Sequence, residues 1–201
     1  HLLQKLMFLM KNQCKCVSCY LFDSYGHAVV PLLGGLAIRD INAEETQTLG
    51  YFSPKQHDNG EYLIQSSYSF VDESNRLVCP TNNNHVLMLK ATDEDGNVLP
   101  EFEKVLDIDI KAAAEAALGK TLDQNLLAVV FDYEGNLWFA TGGFRIYPDR
   151  KQQGAMGYIS RTAIDAILNG EETDLSDAVF VYELAPGEVQ RMELQHPRME
   201  Q

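Results

Sequence analysis

Phe131-Asp132-Tyr133-Glu134-Gly135-Asn136-Leu137-Trp138-Phe139-Ala140 is the stretch on which the reading of the fold turns. An apolar run leads into an aspartate, a Gly-Asn pair closes a reversal, and a second apolar run leads out. Asp at the first turn position accepts hydrogen bonds from backbone N–H groups ahead of it, and Gly or Asn at the fourth position tolerates the left-handed backbone that closes a hairpin. The same signature occurs at Phe22-Asp23-Ser24-Tyr25-Gly26-His27-Ala28 and at Val71-Asp72-Glu73-Ser74-Asn75-Arg76-Leu77. The leading aspartates are about 50 and then 60 residues apart, in the range of one four-stranded propeller blade with loop insertions.

Working outward from each turn gives four extended segments per repeat, the number a blade needs. In the first repeat these are 20–22, 28–30, 36–38 and 48–52; in the second 68–71, 77–79, 85–89 and 102–106; in the third 126–131, 137–140, 156–159 and 179–184. Asp93-Glu94-Asp95-Gly96-Asn97 carries the same turn chemistry and reads as the hairpin between the third and fourth strands of the second repeat. It does not read as a calcium loop, because its glycine falls at the fourth position and Lys104 stands where a bidentate Glu belongs. Two helices interrupt the strands: the alanine-rich 110–118, stopped by Gly119, and 161–168, capped by Ser160 and ended by Asn169-Gly170.

The sequence therefore predicts an all-β chain: a partial β-propeller of about three four-stranded antiparallel blades with two short helical insertions. Residues 1–13 read as an N-terminal stub, 14–60, 61–109 and 123–184 as blades, and 185–201 as a polar tail. No fourth aspartate turn follows Leu184, and three blades do not close a ring of four to eight. The expectation is a segment of a larger ring.

Composition limits the partners. The 201 residues carry 16 basic and 29 acidic side chains, a formal charge of −13. That balance repels phosphate backbones and anionic lipid surfaces, so neither nucleic acid nor a membrane is an expected partner. The apolar stretch in residues 1–10 is too short to span a bilayer and lacks a small-residue cleavage site. Cys14, Cys16 and Cys19 cluster without the fourth ligand of a structural zinc site, and Cys79 lies in a predicted strand as a buried thiol. The loop at Thr141-Gly142-Gly143 opens no helix, and His85 reads as a turn-edge histidine.

If the blades superpose, counting back seven residues from each turn aspartate gives Cys16, Gln65 and Asn125, which would face one shared channel. Gln and Asn offer a carbonyl acceptor and an amide donor, suited to orienting a polar ligand or giving neutral oxygen ligands to a hard cation. These three residues are the candidate ligand-binding set.

The run at 131–140, with its weaker copies, resembles blades of the six-bladed propeller superfamily that includes gluconolactonase and regucalcin-like lactonases, strictosidine-synthase-like proteins and NHL repeats. The resemblance covers about residues 14–184. It implies, for the lactonase branch, a divalent cation such as calcium in the channel, polarising a lactone carbonyl and activating water. Asn125 in Gln124-Asn125-Leu126 stands where that branch carries a liganding asparagine, without the flanking Pro and Gly. Two function classes follow: a ligand-binding or protein-interaction propeller without catalysis, engaging a small molecule or protein at the channel mouth or rim, and a metal-assisted hydrolase of a small cyclic ester with Asn125 as metal ligand.

Overall fold

A computed structural model of the chain describes residues 21–32, 34–40, 47–53, 63–65, 68–122, 125–142, 154–175 and 178–184. The chain divides into two compact units, 1–107 and 108–201. The protein is all-β, built of one eight-stranded sheet and one four-stranded antiparallel sheet, so the first two expected four-stranded units are joined in a single sheet.

In the first unit, β1 (Leu21–Phe22), β2 (Ala28–Pro31), β3 (Leu36–Asp40) and β4 (Gln47–Phe52) form an antiparallel meander. A second meander comprises β5 (Phe70–Val71), β6 (Arg76–Pro80), β7 (His85–Thr92) and β8 (Val98–Asp109). Among the described connections, the turns at 23–27, 72–75, 81–84 and 93–97 join strands consecutive in sequence, which keeps those pairings local. The two meanders join through one parallel pair, Tyr51 with Glu101, giving the order β1-β2-β3-β4-β8-β7-β6-β5.

One core holds both meanders together. Val29, Ile38 and Phe52 from the first meet Leu77, Leu87 and Phe102 from the second, each nearly or wholly removed from water. Leu21 and Val71, on the two free edge strands, pack against the same cluster, so the sheet curls back and nearly closes. Full burial of each such side chain is worth about 1.5–3 kcal/mol. Gly50 permits the junction of β4 and β8: a Cβ there would lie 1.9 Å from the Leu99 carbonyl oxygen.

The second unit contains α1 (Ile110–Leu118), then β9 (Leu126–Phe131), β10 (Leu137–Thr141) and β11 (Gly154–Ile159), then α2 (Arg161–Leu168) and β12 (Val179–Leu184). The four strands pair in chain order as an antiparallel sheet. The side chain of Asp109 accepts from Ala112 N–H at 2.9 Å to start α1, and Gly119 ends it at φ 68°. Leu137, Phe139, Ala155 and Ile159 turn one sheet face inward, and Ala163 and Ile164 of α2 and Ile110 and Ala114 of α1 are likewise buried. That is the expected division for an amphipathic helix and a half-buried sheet.

Candidate functional site

Four aspartates build the same turn. At Asp23, Asp72, Asp93 and Asp132 the Oδ1 accepts the N–H four residues on, from His27, Arg76, Asn97 and Asn136, at 2.8, 2.8, 2.8 and 2.9 Å. It also accepts the N–H two residues on, from Tyr25, Ser74, Asp95 and Glu134. The Oδ2 takes the side chain at the fourth residue: His27 Nδ1, Arg76 Nε, Asn97 Nδ2 or Asn136 Nδ2, at 2.7 to 2.9 Å. The residue between sits at positive φ in all four, Gly26, Asn75, Gly96 and Gly135, which is why Gly or Asn is required there.

Three of these turns come together at one end of the first unit. Ser24 N–H donates to Asn75 Oδ1 at 2.9 Å, and the Tyr25 ring occupies the space beside Gly96, where a Cβ would meet it at 2.7 Å. In the second unit the Asp132 turn instead caps a helix: Asn136 Oδ1 accepts the N–H of Arg161, the first residue of α2, at 3.0 Å.

Of the residues singled out in the sequence, Cys16 lies outside the described residues. Gln65 stands ahead of β5 and spends its amide on the fold, donating through Nε2 to the Thr81 carbonyl at 3.0 Å, while its backbone N–H donates to Pro80 O at 2.8 Å. Asn125 stands ahead of β9 with an exposed side chain, and its carbonyl accepts Gly142 N–H at 3.0 Å. Gln65 and Asn125 belong to different units. Among the described residues no three His, Cys, Asp or Glu side chains gather as a metal would need. Cys79 is fully buried, and that burial, against a weaker opposing hydrogen bond with Ser69, pushes its thiol up to about 12.

Two features were not read from the sequence. Nine residues beyond each of Asp72 and Asp132 a threonine locks the start of the third strand: Thr81 Oγ1 accepts His85 N–H at 3.0 Å, and Thr141 Oγ1 accepts Ala155 N–H at 2.9 Å. The common spacing from the turn aspartate was the available signal. His85, read as a turn-edge residue, opens β7 and places Nδ1 2.6 Å from Asp107 Oδ1, while Lys104 Nζ donates to Asp107 Oδ2 at 2.9 Å. Burial works to raise the Asp107 carboxyl, but the hydrogen bonds and charge of Lys104 and His85 outweigh it and hold the group below the usual carboxylate range. An ionised acceptor requires the proton on His85 Nδ1.

The most distinctive surface is the outward face of the β9–β12 sheet. Strand register lines up Val130, Trp138, Tyr158 and Phe180 in one row across all four strands. Val130 is 58%, Phe180 46% and the neighbouring Tyr182 53% exposed. Trp138 and Tyr158 ring centroids are 4.9 Å apart, Tyr158 and Phe180 4.8 Å, and Trp138 lies within 6° of parallel to Tyr182. Trp138 belongs to this half-open face. Its indole Nε1 donates to Asp132 Oδ2 at 2.7 Å. Asn136 and Trp138 together, with backbone donors and against a small opposing desolvation, draw the Asp132 carboxyl down to about 2.

No protein-family model matches the chain, and no curated protein matches it.

Proposed function

We propose that the chain is a β-propeller-type segment of blade-like sheets that serves as a binding scaffold without catalysis, engaging a protein surface through the aromatic face of β9–β12. The observation that carries this reading is the outward row of Val130, Trp138, Tyr158 and Phe180, its ends exposed and its two central rings half-buried, flanked by exposed Tyr182. Exposed aromatic clusters on a rigid sheet mark interaction sites, because stacked rings bury a large apolar area with little entropy left to lose. The hydrogen bond from Gln65 to Thr81 supports the same reading, since it commits a candidate ligand-orienting group to closing a hairpin.

Two measurements test the proposal. An apolar fluorescent probe should bind the wild-type chain and bind a Phe180→Ser/Tyr182→Ser variant several-fold less, with far-UV circular dichroism unchanged; equal binding would refute it. Small lactones offered with and without calcium should not be turned over. Calcium-dependent hydrolysis abolished by Asn125→Ala would replace the scaffold reading with the hydrolase one.

A further inference from the structure

We infer that Asn169 is a site of spontaneous covalent modification, where the asparagine passes through a cyclic imide to aspartate and isoaspartate and so releases the C-terminal latch of α2.

The latch explains why the reactive pair stands there. Gly170 N–H donates to Ile167 O and Glu171 N–H to Ala166 O, both at 2.9 Å. These are the paired bonds of a Schellman ending, which needs the residue after the cap in the left-handed region. Gly170 supplies that conformation at φ 77°, and nothing lies within 4 Å of where a Cβ would be. With no side chain of its own, it also offers the least hindered backbone nitrogen that an asparagine can have beside it. Asn75, Asn82, Asn83, Asn97 and Asn136 each hold the side-chain amide in a hydrogen bond. Asn125 is exposed but precedes Leu126, whose branched side chain crowds the nitrogen. Asn169 is exposed, its side-chain amide meets no partner among the described residues, and it alone among the described asparagines precedes glycine.

The reaction needs water and no other co-reactant. The Gly170 nitrogen attacks Asn169 Cγ, a C–N bond forms, and the side-chain nitrogen leaves as ammonia with the proton lost from Gly170. Water then opens the imide at one of its two carbonyls. One opening leaves aspartate; the other routes the main chain through Cγ as isoaspartate.

Opening of the last helical turn gates the attack. With the latch closed Asn169 stands at φ −82° and ψ 1°, and Gly170 N–H is engaged, so the peptide must rotate and give up its bond to Ile167 first. Helix ends open at a free energy near zero. The other end of α2 stays fixed, because Asn136 Oδ1 and Ser160 Oγ accept the N–H groups of Arg161 and Ala163, and Ala163 and Ile164 are buried.

Neither product restores the latch. Isoaspartate lengthens the main chain by one carbon ahead of Gly170, which carries both donors away from Ile167 and Ala166. Aspartate sets a carboxylate at the negative end of the helix, four residues from Asp165 and close in sequence to Glu171 and Glu172.

The test is incubation of the full chain at mildly alkaline pH in isotope-labelled water, with peptide mapping by mass spectrometry. The Asn169 peptide should exchange its amide for an acid carrying one labelled oxygen, at a rate within about tenfold of the same chain unfolded in urea. Peptides containing Asn97, Asn125 and Asn136 should remain intact over that time. In the converted chain, amide exchange should rise at Gly170 and Glu171 and stay slow at Ile164. Asn169→Gln, whose longer side chain closes the imide far more slowly, should keep both its mass and its latch. Asn169 still intact in the folded chain once the unfolded chain has converted overturns the inference. So does equal conversion at Asn125, which would make exposure sufficient and the glycine irrelevant, or a converted chain whose Gly170 and Glu171 amides remain as protected as before.

Discussion

Replacing Asp72 by alanine removes the hub of one turn while leaving the strands around it intact. The carboxylate is 6% exposed and accepts three bonds: Ser74 N–H at 2.9 Å, Arg76 N–H at 2.8 Å and Arg76 Nε at 2.7 Å. Arg76 keeps access to water, so its side-chain bond is discounted as a partly exposed ion pair. The two backbone bonds to a charged acceptor set the magnitude, at about 1.5 kcal/mol each and therefore about 3 kcal/mol, reduced toward 2 if water reaches the freed amides. At about 4–8 °C per kcal/mol for a unit of roughly 100 residues, the midpoint of thermal unfolding should fall by about 10–20 °C. Urea unfolding followed by far-UV circular dichroism gives the free energy directly, with an unchanged slope indicating that only stability moved. Asp72→Asn keeps an acceptor for the two amides but loses the charge and presents a donor to Arg76 Nε, so it should fall between wild type and Asp72→Ala. Glu73→Ala, at the exposed tip, is the control and should be neutral. If Asp72→Ala lies within about 0.5 kcal/mol of that control, the ordinary scatter of surface substitutions, the turn is not what holds the hairpin and the reasoning fails.

Three further outcomes follow from the same geometry. Gly50→Ala should destabilise the first unit by about 2–3 kcal/mol, because its Cβ would stand 1.9 Å from the Leu99 carbonyl oxygen and force β4 from β8; a neutral result in urea would show that the junction yields freely. Thr141→Val conserves shape but orphans the buried Ala155 N–H, a loss of about 1–3 kcal/mol that Thr141→Ser should largely recover. Because Asp132 is drawn down to about 2 in the folded chain from an ordinary 3.8, its contribution is fully present above the ordinary value and is lost as pH falls through about 2. Trp138, bonded to that carboxylate, should report the change as an emission shift with a midpoint near pH 2, absent in Asp132→Asn; a midpoint at the ordinary carboxylate value would contradict the hydrogen-bond account.

Much of the fold was legible because its signals are local. The aspartate turns at 23, 72, 93 and 132 depend on bonds spanning four residues, and both helices carry their own caps, so short stretches of sequence contain all the determinants. The strands of the third repeat run 126–131 and 179–184, as their apolar runs imply. The fourth strand of the second repeat was read as 102–106 but spans Val98–Asp109, since Leu99-Pro100-Glu101 breaks the alternation by which strands are recognised, while tertiary pairing to β4 and β7 carries the strand through it. The candidate site was less legible. Gln65 and Asn125 were placed by counting positions, which locates a strand start but not the partner that a polar side chain finds there. The Lys104–Asp107–His85 chain joins residues up to 22 apart across two strands, and no periodicity within either strand announces it. The aromatic face was hidden for a related reason: both faces of the β9–β12 strands are mostly apolar, Thr141 and Glu183 apart, so alternation cannot tell the covered face from the open one.

The central claim, that one hairpin module recurs along this chain with an aspartate as its hub, is tested most directly by NMR-detected amide hydrogen exchange at the four turns. The account predicts joint protection of the His27, Arg76, Asn97 and Asn136 amides, each losing it when the aspartate of its own turn, and no other, is changed to alanine. Exchange of those four amides as fast as that of Glu73, Glu94 and Tyr133 at the exposed tips would contradict it.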